Sequence, residues 1–451
     1  MASNVRKRKN MNEMTSYRLA GFAFRASVFF ALIFGASIVL AAEPMPMPQY
    51  EAALEELVAS ARAANPGYQA AALKERAAGL RPWDAGTPDP PTLGVEFFQA
   101  PITSFPNPMK DQMEIDYSIQ QMIPFPGKLS AMARAERAGR AVAAAERNGT
   151  ERTIVSALKR DFAELYYLWR RQEVLAQDAG VLRSLAAVTS SLYSVGMTGQ
   201  ADVLRVQTEL ASLQADSVGA AQDVAAMTAM VNAWAGRPVE TEIAPVAEFV
   251  PDSLELSYNA LCSLAVRHRP DLVAMTAEAK MKGAEATAQL AEFLPDFMAR
   301  GTYKNMLQGE DDWSVMFGMT MPVSWSLPKF SSRYEQRRLA ARQAQLEATN
   351  MRNMAFAEIR GLQGGLAGLR SRMDIQHARV IPAAQRTYES SLAQYRTGKT
   401  EFPMVIDAQR MFLMNVMEYH MTVMSFLQAR AELEQATGTD LDRSAAESEG
   451  K

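Results

Sequence analysis

The stretch YSVGMTGQADVLRVQ at residues 193–207 returns in altered form as YRTGKTEFPMVIDAQ at residues 395–409. Tyr193, Gly196, Thr198, Val203 and Gln207 in the first correspond to Tyr395, Gly398, Thr400, Val405 and Gln409 in the second. Each reads as a Gly-containing turn joining one long helix to another that runs back. Working outward at the same shift, Pro126 matches Pro328, and at a slightly larger one Leu57, Ala61, Pro66 and Pro91 match Leu261, Ala265, Pro270 and Pro295. One ancestral unit copied in tandem explains this, and the duplication sets the fold.

The predicted organisation is a leader over residues 1–42, a first repeat over 43–238 and an irregular, proline-containing linker over 239–252. A second repeat over 253–439 and a polar tail over 440–451 complete the chain. Each repeat starts with a short amphipathic helix, Tyr50 to Ala64 or Leu254 to Arg267. It is expected to stop at Asn65-Pro66 or Arg269-Pro270, because proline disfavours helix in the residue before it. Two strands follow, at about 92–123 and about 296–323, and then a helical hairpin, at about 129–236 and about 329–437. Leu129 to Tyr193 carries no proline and as a helix would reach roughly 98 Å at 1.5 Å per residue. Its counterpart, Lys329 to Tyr395, is expected to be interrupted at Pro382. Gly361, Gly364, Gly365 and Gly368 there suggest close helix packing or a bend, since no strand or GK[ST] makes them a phosphate loop. Phe412, Val416, Tyr419, Val423 and Phe426 recur at coiled-coil spacing, break at Arg430 and resume at Leu433.

The strands alternate. Met113, Ile115, Tyr117, Ile119 and Ile123 point one way, and Glu114, Asp116, Ser118 and Gln120 the other. Trp313, Val315, Phe317, Met319, Met321 and Val323 oppose Ser314, Gly318 and Thr320. Leu93, Val95 and Phe97 oppose Gly94 and Glu96, while Arg300, Thr302 and Lys304 share a face. One such strand fits a half-exposed soluble sheet. Four together fit a barrel wall with lipid on one side and water on the other, with Glu114, Asp116, Arg300 and Lys304 facing the lumen. Four strands leave two open edges, which do not persist in lipid, so copies must complete the wall. Two copies would supply eight strands and three would supply twelve; the pattern alone does not choose.

The leader agrees with export. Arg6, Lys7, Arg8, Lys9, Arg18 and Arg25 precede an apolar run from Ser27 to Ala42, the pattern of a secretory signal peptide. The 451 residues carry a net charge of -3, with no basic stretch after the leader, which argues against nucleic-acid binding. Cys262 is the only cysteine, so no internal disulfide or cysteine-based zinc site is possible, and a small buried apolar role is expected. No HExxH, GxSxG, Walker or Rossmann pattern occurs and the three histidines are scattered, so an enzyme is not expected, nor a cofactor.

The order of these features, twice over, resembles the TolC family of outer-membrane efflux proteins across essentially the whole chain after the leader. The post-strand turns Pro124-Phe125-Pro126-Gly127-Lys128 and Leu327-Pro328-Lys329-Phe330 carry the likeness together with the hairpin tips. The resemblance implies mainly α structure with a membrane β-barrel: a homotrimer, four strands per chain in a twelve-stranded barrel, and a long α-helical coiled-coil tunnel in the periplasm. It implies an outer-membrane location, surrounding outer-membrane lipid, and docking of a periplasmic adaptor (membrane fusion) protein and an inner-membrane pump at the tips. The tip residues are Val195, Gly196, Met197 and Thr198 with Thr397, Gly398 and Thr400. Tyr395 matches a constriction tyrosine of the family, and of two commonly acidic gate positions Asp407 is retained while the other is Met404. The closing segment, Glu418-Tyr419-His420 through Ala431 to Glu434 and Thr437-Gly438, is most similar to the heavy-metal branch served by RND-type pumps. Drug efflux and type I protein secretion use the same architecture. A soluble periplasmic scaffold or adaptor is the competing class, and it would lack paired strands before each hairpin.

Twenty-eight methionines stand against three histidines. Met404, Asp407, Met411, Met414, Met417, Met421 and Met424 are expected on a face of the last helix opposite its seam. If Asp407 faces the pore, a thioether relay of Met404, Met411 and Met414 would suit Cu(I) or Ag(I) rather than zinc. The alternative is methionine filling gaps between helices.

Overall fold

A computed structural model describes residues 48–441 apart from 99, 101, 103–105, 108, 110–112, 250, 252–256, 307–308 and 321–322. The leader and residues 442–451 lie outside the described residues. Contacts divide the chain into Met1–Gln49 with Ala247–Val250, and Tyr50–Val246 with Pro251–Lys451. The second unit contains the architecture that follows.

The first repeat comprises α1 (Pro48–Ala64), α2 (Pro66–Ala78), α3 (Arg81–Gly86), β1 (Thr92–Phe98), β2 (Glu114–Ile123), α4 (Lys128–Ser194) and α5 (Gln200–Ala235). The second comprises α6 (Tyr258–His268), α7 (Pro270–Leu290), β3 (Asp296–Met306), β4 (Asp312–Thr320), α8 (Leu327–Ile375), α9 (Ile381–Arg396) and α10 (Phe402–Thr437).

The stops at Asn65-Pro66 and Arg269-Pro270 also prove to be starts. Helices α2 and α7 begin at those prolines, which corrects the expectation that strands follow α1 and α6 directly. Proline at the first helical position lacks only an N–H that the helix would not use. Asn65 then caps α2, its Oδ1 accepting from the Gly67 and Tyr68 amides at 2.8 and 3.3 Å. Its Nδ2 donates to the Trp234 carbonyl at 2.9 Å, just as Arg269 reaches the Ala436 carbonyl at 3.5 Å in the second repeat. Each repeat therefore ties the end of its last helix to the break after its first.

The strands form one antiparallel sheet in the order β1-β2-β3-β4. Helix contacts follow that order: α2 and α3 lie on α4, α4 on α7, and α7 on α8. Farther from the sheet, α5 packs on α4, α4 on α10, and α10 on α8 and α9. Along both series, α8 and α9 end the row on the β4 side. Strand β4 ends at Thr320 rather than at Val323, whose amide and carbonyl instead meet Ser326 Oγ in the turn into α8. Met321 lies outside the described residues.

Helix α4 runs unbroken for 67 residues. Its middle supplies much of the core: Leu158, Phe162, Leu165 and Tyr166 are fully buried, and the Tyr50 ring lies 4.9 Å from that of Phe162. Burying each such side chain contributes roughly 1.5–3 kcal/mol. An exposed ion pair such as Lys74–Glu146 adds less than about 1 kcal/mol, so packing decides stability here.

Pro382 does not interrupt the counterpart. The helix passes from α8 to α9 through a π turn at Gln376–Val380, and this wider turn accommodates a ring that would clash with a carbonyl in regular α-helix. Among the described residues the four glycines of α8 serve no close packing, since a Cβ on any of them would meet nothing within 4 Å. Asp440 and Leu441, expected in the tail, belong to the fold: Asp440 accepts from Lys159 at 3.0 Å and Leu441 is fully buried.

Candidate gate and barrel face

Strand register puts the alternation on one sheet. Glu96, Asp116, Lys304 and Asp312 form one cross-strand row, and Gly94, Ser118, Thr302 and Ser314 the next polar row. Between them on the opposite face runs Val95, Tyr117, Tyr303 and Trp313, and beyond it Leu93, Ile119, Gly301 and Val315. All four residues expected toward the lumen share the polar face. Lys304 Nζ lies 2.7 Å from Glu114 and 3.7 Å from Asp116, while Arg300 Nε donates to Gln120 at 2.9 Å. The opposite face is bare: Leu93 is 76% exposed, Trp313 78% and Phe317 82%. An apolar surface spread over several strands is uncommon on a soluble monomer and marks contact with membrane or partner.

The hairpin tips have matching backbones. Gly196 and Gly398 hold φ of +74° and +68°, left-handed values that close each turn. Val195, Gly196, Met197, Thr397 and Gly398 are exposed, with Thr198 and Thr400 half-buried. Asp202 sits in the first turn of α5, favourable for negative charge, and accepts from Thr198 Oγ1. The tips also meet: Tyr395 Oη lies 3.5 Å from Thr198 Oγ1, and the Tyr395 ring packs on Phe402 at 5.5 Å.

The three expected gate residues do not share a surface. Tyr395 is buried in the junction between the hairpins, whereas Met404 and Asp407 project from α10. The methionine face is narrower than expected. Met404, Met411, Met414 and Met421 are exposed, but Met417 packs against the apolar cluster at the hairpin junction and Met424 is half-buried. A 3.5-residue wheel, right for a supercoiled seam, gathers these methionines into a tighter arc than a helix turning every 3.6 residues gives them, so Met417 and Met424 rotate off the exposed side.

One pairing at this junction escaped the sequence analysis. Asp178 of α4 and Gln409 of α10 are both buried, and Gln409 Nε2 donates to Asp178 Oδ1. Burial pushes the Asp178 carboxyl above the ordinary range, opposed by the Gln409 bond and reinforced by Glu209. The available signal was a lone carboxylate on the inward side of an otherwise apolar helix stripe. His420 is packed and 5% exposed, and Cys262 is buried as expected. Among the described residues no group of three or more His, Cys, Asp or Glu is placed to hold a metal ion. No helix among them is long and apolar enough to cross a membrane.

This arrangement is shared with solved structures. The channel OprN superposes with a TM-score of 0.73 at 16% identity, over 86% of this chain and 91% of its own. CusC gives 0.73 at 15%, over 86% and 92%. CmeC of Campylobacter jejuni gives 0.72 at 14%, over 90% and 91%. The fold is that of the outer-membrane channels. The family model described as "Outer membrane efflux protein" matches residues 261–439, which is the second repeat from α6 through α10. No curated protein sequence matches the chain.

Proposed function

We propose that the chain is the outer-membrane exit duct of a tripartite efflux system, passive in itself and coupled to a periplasmic adaptor and an inner-membrane RND-type pump. The observation that carries this is the two-sided sheet. Its polar rows and its exposed apolar rows alternate in register across all four strands. Its edges, β1 and β4, are the ends of the strand order, and α8 and α9 end the helix rows on the β4 side. A neighbouring copy at each edge extends sheet and helix rows together, and three copies of the 4-stranded sheet make a closed wall of twelve strands in a homotrimer. The hairpins then lie in the periplasm. The exposed tips, Val195 to Thr198 and Thr397 to Thr400, receive the adaptor, while α10 presents Met404 and Asp407 at the gate.

The cargo we propose is a soft monovalent metal ion, Cu(I) or Ag(I). Met404, Met411 and Met414 expose their side chains beside Asp407 on α10, and thioethers favour such ions over zinc. A triple variant, Met404→Leu with Met411→Leu and Met414→Leu, tests this in a host lacking its own copper and silver exporter. Tolerance is expected to fall toward that of the empty host while the protein still assembles in the outer membrane. Full tolerance would remove the metal relay and leave the duct.

A further inference from the structure

The hairpin junction contains more polarity than packing needs. Asp178 and Gln409 meet inside a cluster of Leu175, Leu182, Val206, Leu213, Val405 and Ile406, where apolar residues at both positions would hold the helices together. A buried carboxylate is costly unless its partner is in place. The pair is satisfied in this alignment of α10 on α4, and a shift of either helix leaves a carboxylate unpaired. Gln409 follows Asp407 on α10, so whatever holds Gln409 also holds the gate segment. The next residue, Arg410, pairs with Glu209 of α5, a second link from the second hairpin to the first.

We propose that Asp178 and Gln409 form a latch that positions the gate segment of α10 against the first hairpin, and that ionisation of Asp178 loosens it. This rests on reading the chain as a duct. The groups facing Asp178 are Glu209 of α5, itself paired with Arg410, Tyr388 of α9, and Gln409. Burial first, and Glu209 second, favour the protonated carboxyl in the latched arrangement, with only Gln409 opposing them. A group that prefers its proton in one state stabilises that state as pH falls, so the latch is firm in acid and weakens as Asp178 ionises. Asn at 178 keeps the shape and the hydrogen bond without the charge.

Conductance of the purified protein in planar lipid bilayers, scanned from about pH 5 to about pH 8, tests the latch. Wild-type conductance is expected to rise with pH, and Asp178→Asn to stay low and flat. A flat wild-type profile, or one that Asp178→Asn reproduces, overturns the proposal. Should Asp178→Asn fail to assemble, Gln409→Glu decides: two carboxylates must share a proton, so the rise is expected at higher pH. An unshifted rise in that variant overturns the latch. Conductance absent from every form at every pH removes the duct reading, and the latch with it.

Discussion

His420 shows how one residue of the helical domain responds to its surroundings. It lies on α10, buried beside Tyr419, and burial followed by the Arg170 guanidinium takes its pKa down to about 4. An unfolded histidine titrates near 6.5, so between about pH 6.5 and about pH 4 the unfolded chain takes up a proton that the folded one refuses. The stability associated with neutral His420 is thus complete above about pH 6.5 and lost as pH falls, by on the order of 3 kcal/mol at the lower limit. Thermal unfolding of the purified protein is expected to lose stability more steeply over that window in wild type than in His420→Gln. Parallel pH profiles would show that the imidazole is not held neutral. At the same scale, Met417 explains why methionine counting overstates a pore: its side chain sits in the hairpin junction, while Met414 on the same helix is 66% exposed.

At the scale of elements, the two hairpins end in the same way. Helices α5 and α10 each end on a left-handed glycine, Gly236 and Gly438, with φ of +69° and +75°. A Cβ on Gly236 would stand 2.7 Å from the Ala64 carbonyl carbon, and one on Gly438 would stand 2.4 Å from that of His268. Gly438→Ala therefore meets both an unfavourable backbone conformation and rigid backbone atoms, and is expected to destabilise by about 2–5 kcal/mol. Chemical denaturation of the purified variant measures this, and a loss under about 1 kcal/mol would contradict the close approach. These positions also show what the sequence discloses. The strands and the hairpins were legible because alternation, helix length and glycine turns are local signals. Helices α2 and α7 were not, because a proline that ends one helix serves equally well as the first residue of the next, and the dipeptide alone does not tell the two apart. The Asp178–Gln409 pair depends on a contact between segments far apart in sequence. The tips were readable by type but not by orientation, since burial of Tyr395 between the hairpins depends on how the two hairpins pack.

At the scale of the whole molecule, function rests on which way the sheet faces. The row Val95, Tyr117, Tyr303 and Trp313 needs an apolar neighbour, and the row Glu96, Asp116, Lys304 and Asp312 needs water. Only a closed wall in lipid gives both without leaving the β1 and β4 edges unpaired. The most direct measurement is fluorescence quenching of single labelled cysteines in vesicles, on a Cys262→Ala background. Val95→Cys and Val315→Cys sample one face, and Ser118→Cys, Thr302→Cys and Ser314→Cys the other. The expected result is that a quencher attached to acyl chains dims only the first set and iodide in the aqueous phase dims only the second. Equal quenching of both sets by iodide, with none from the acyl chains, would contradict the barrel and the duct built on it.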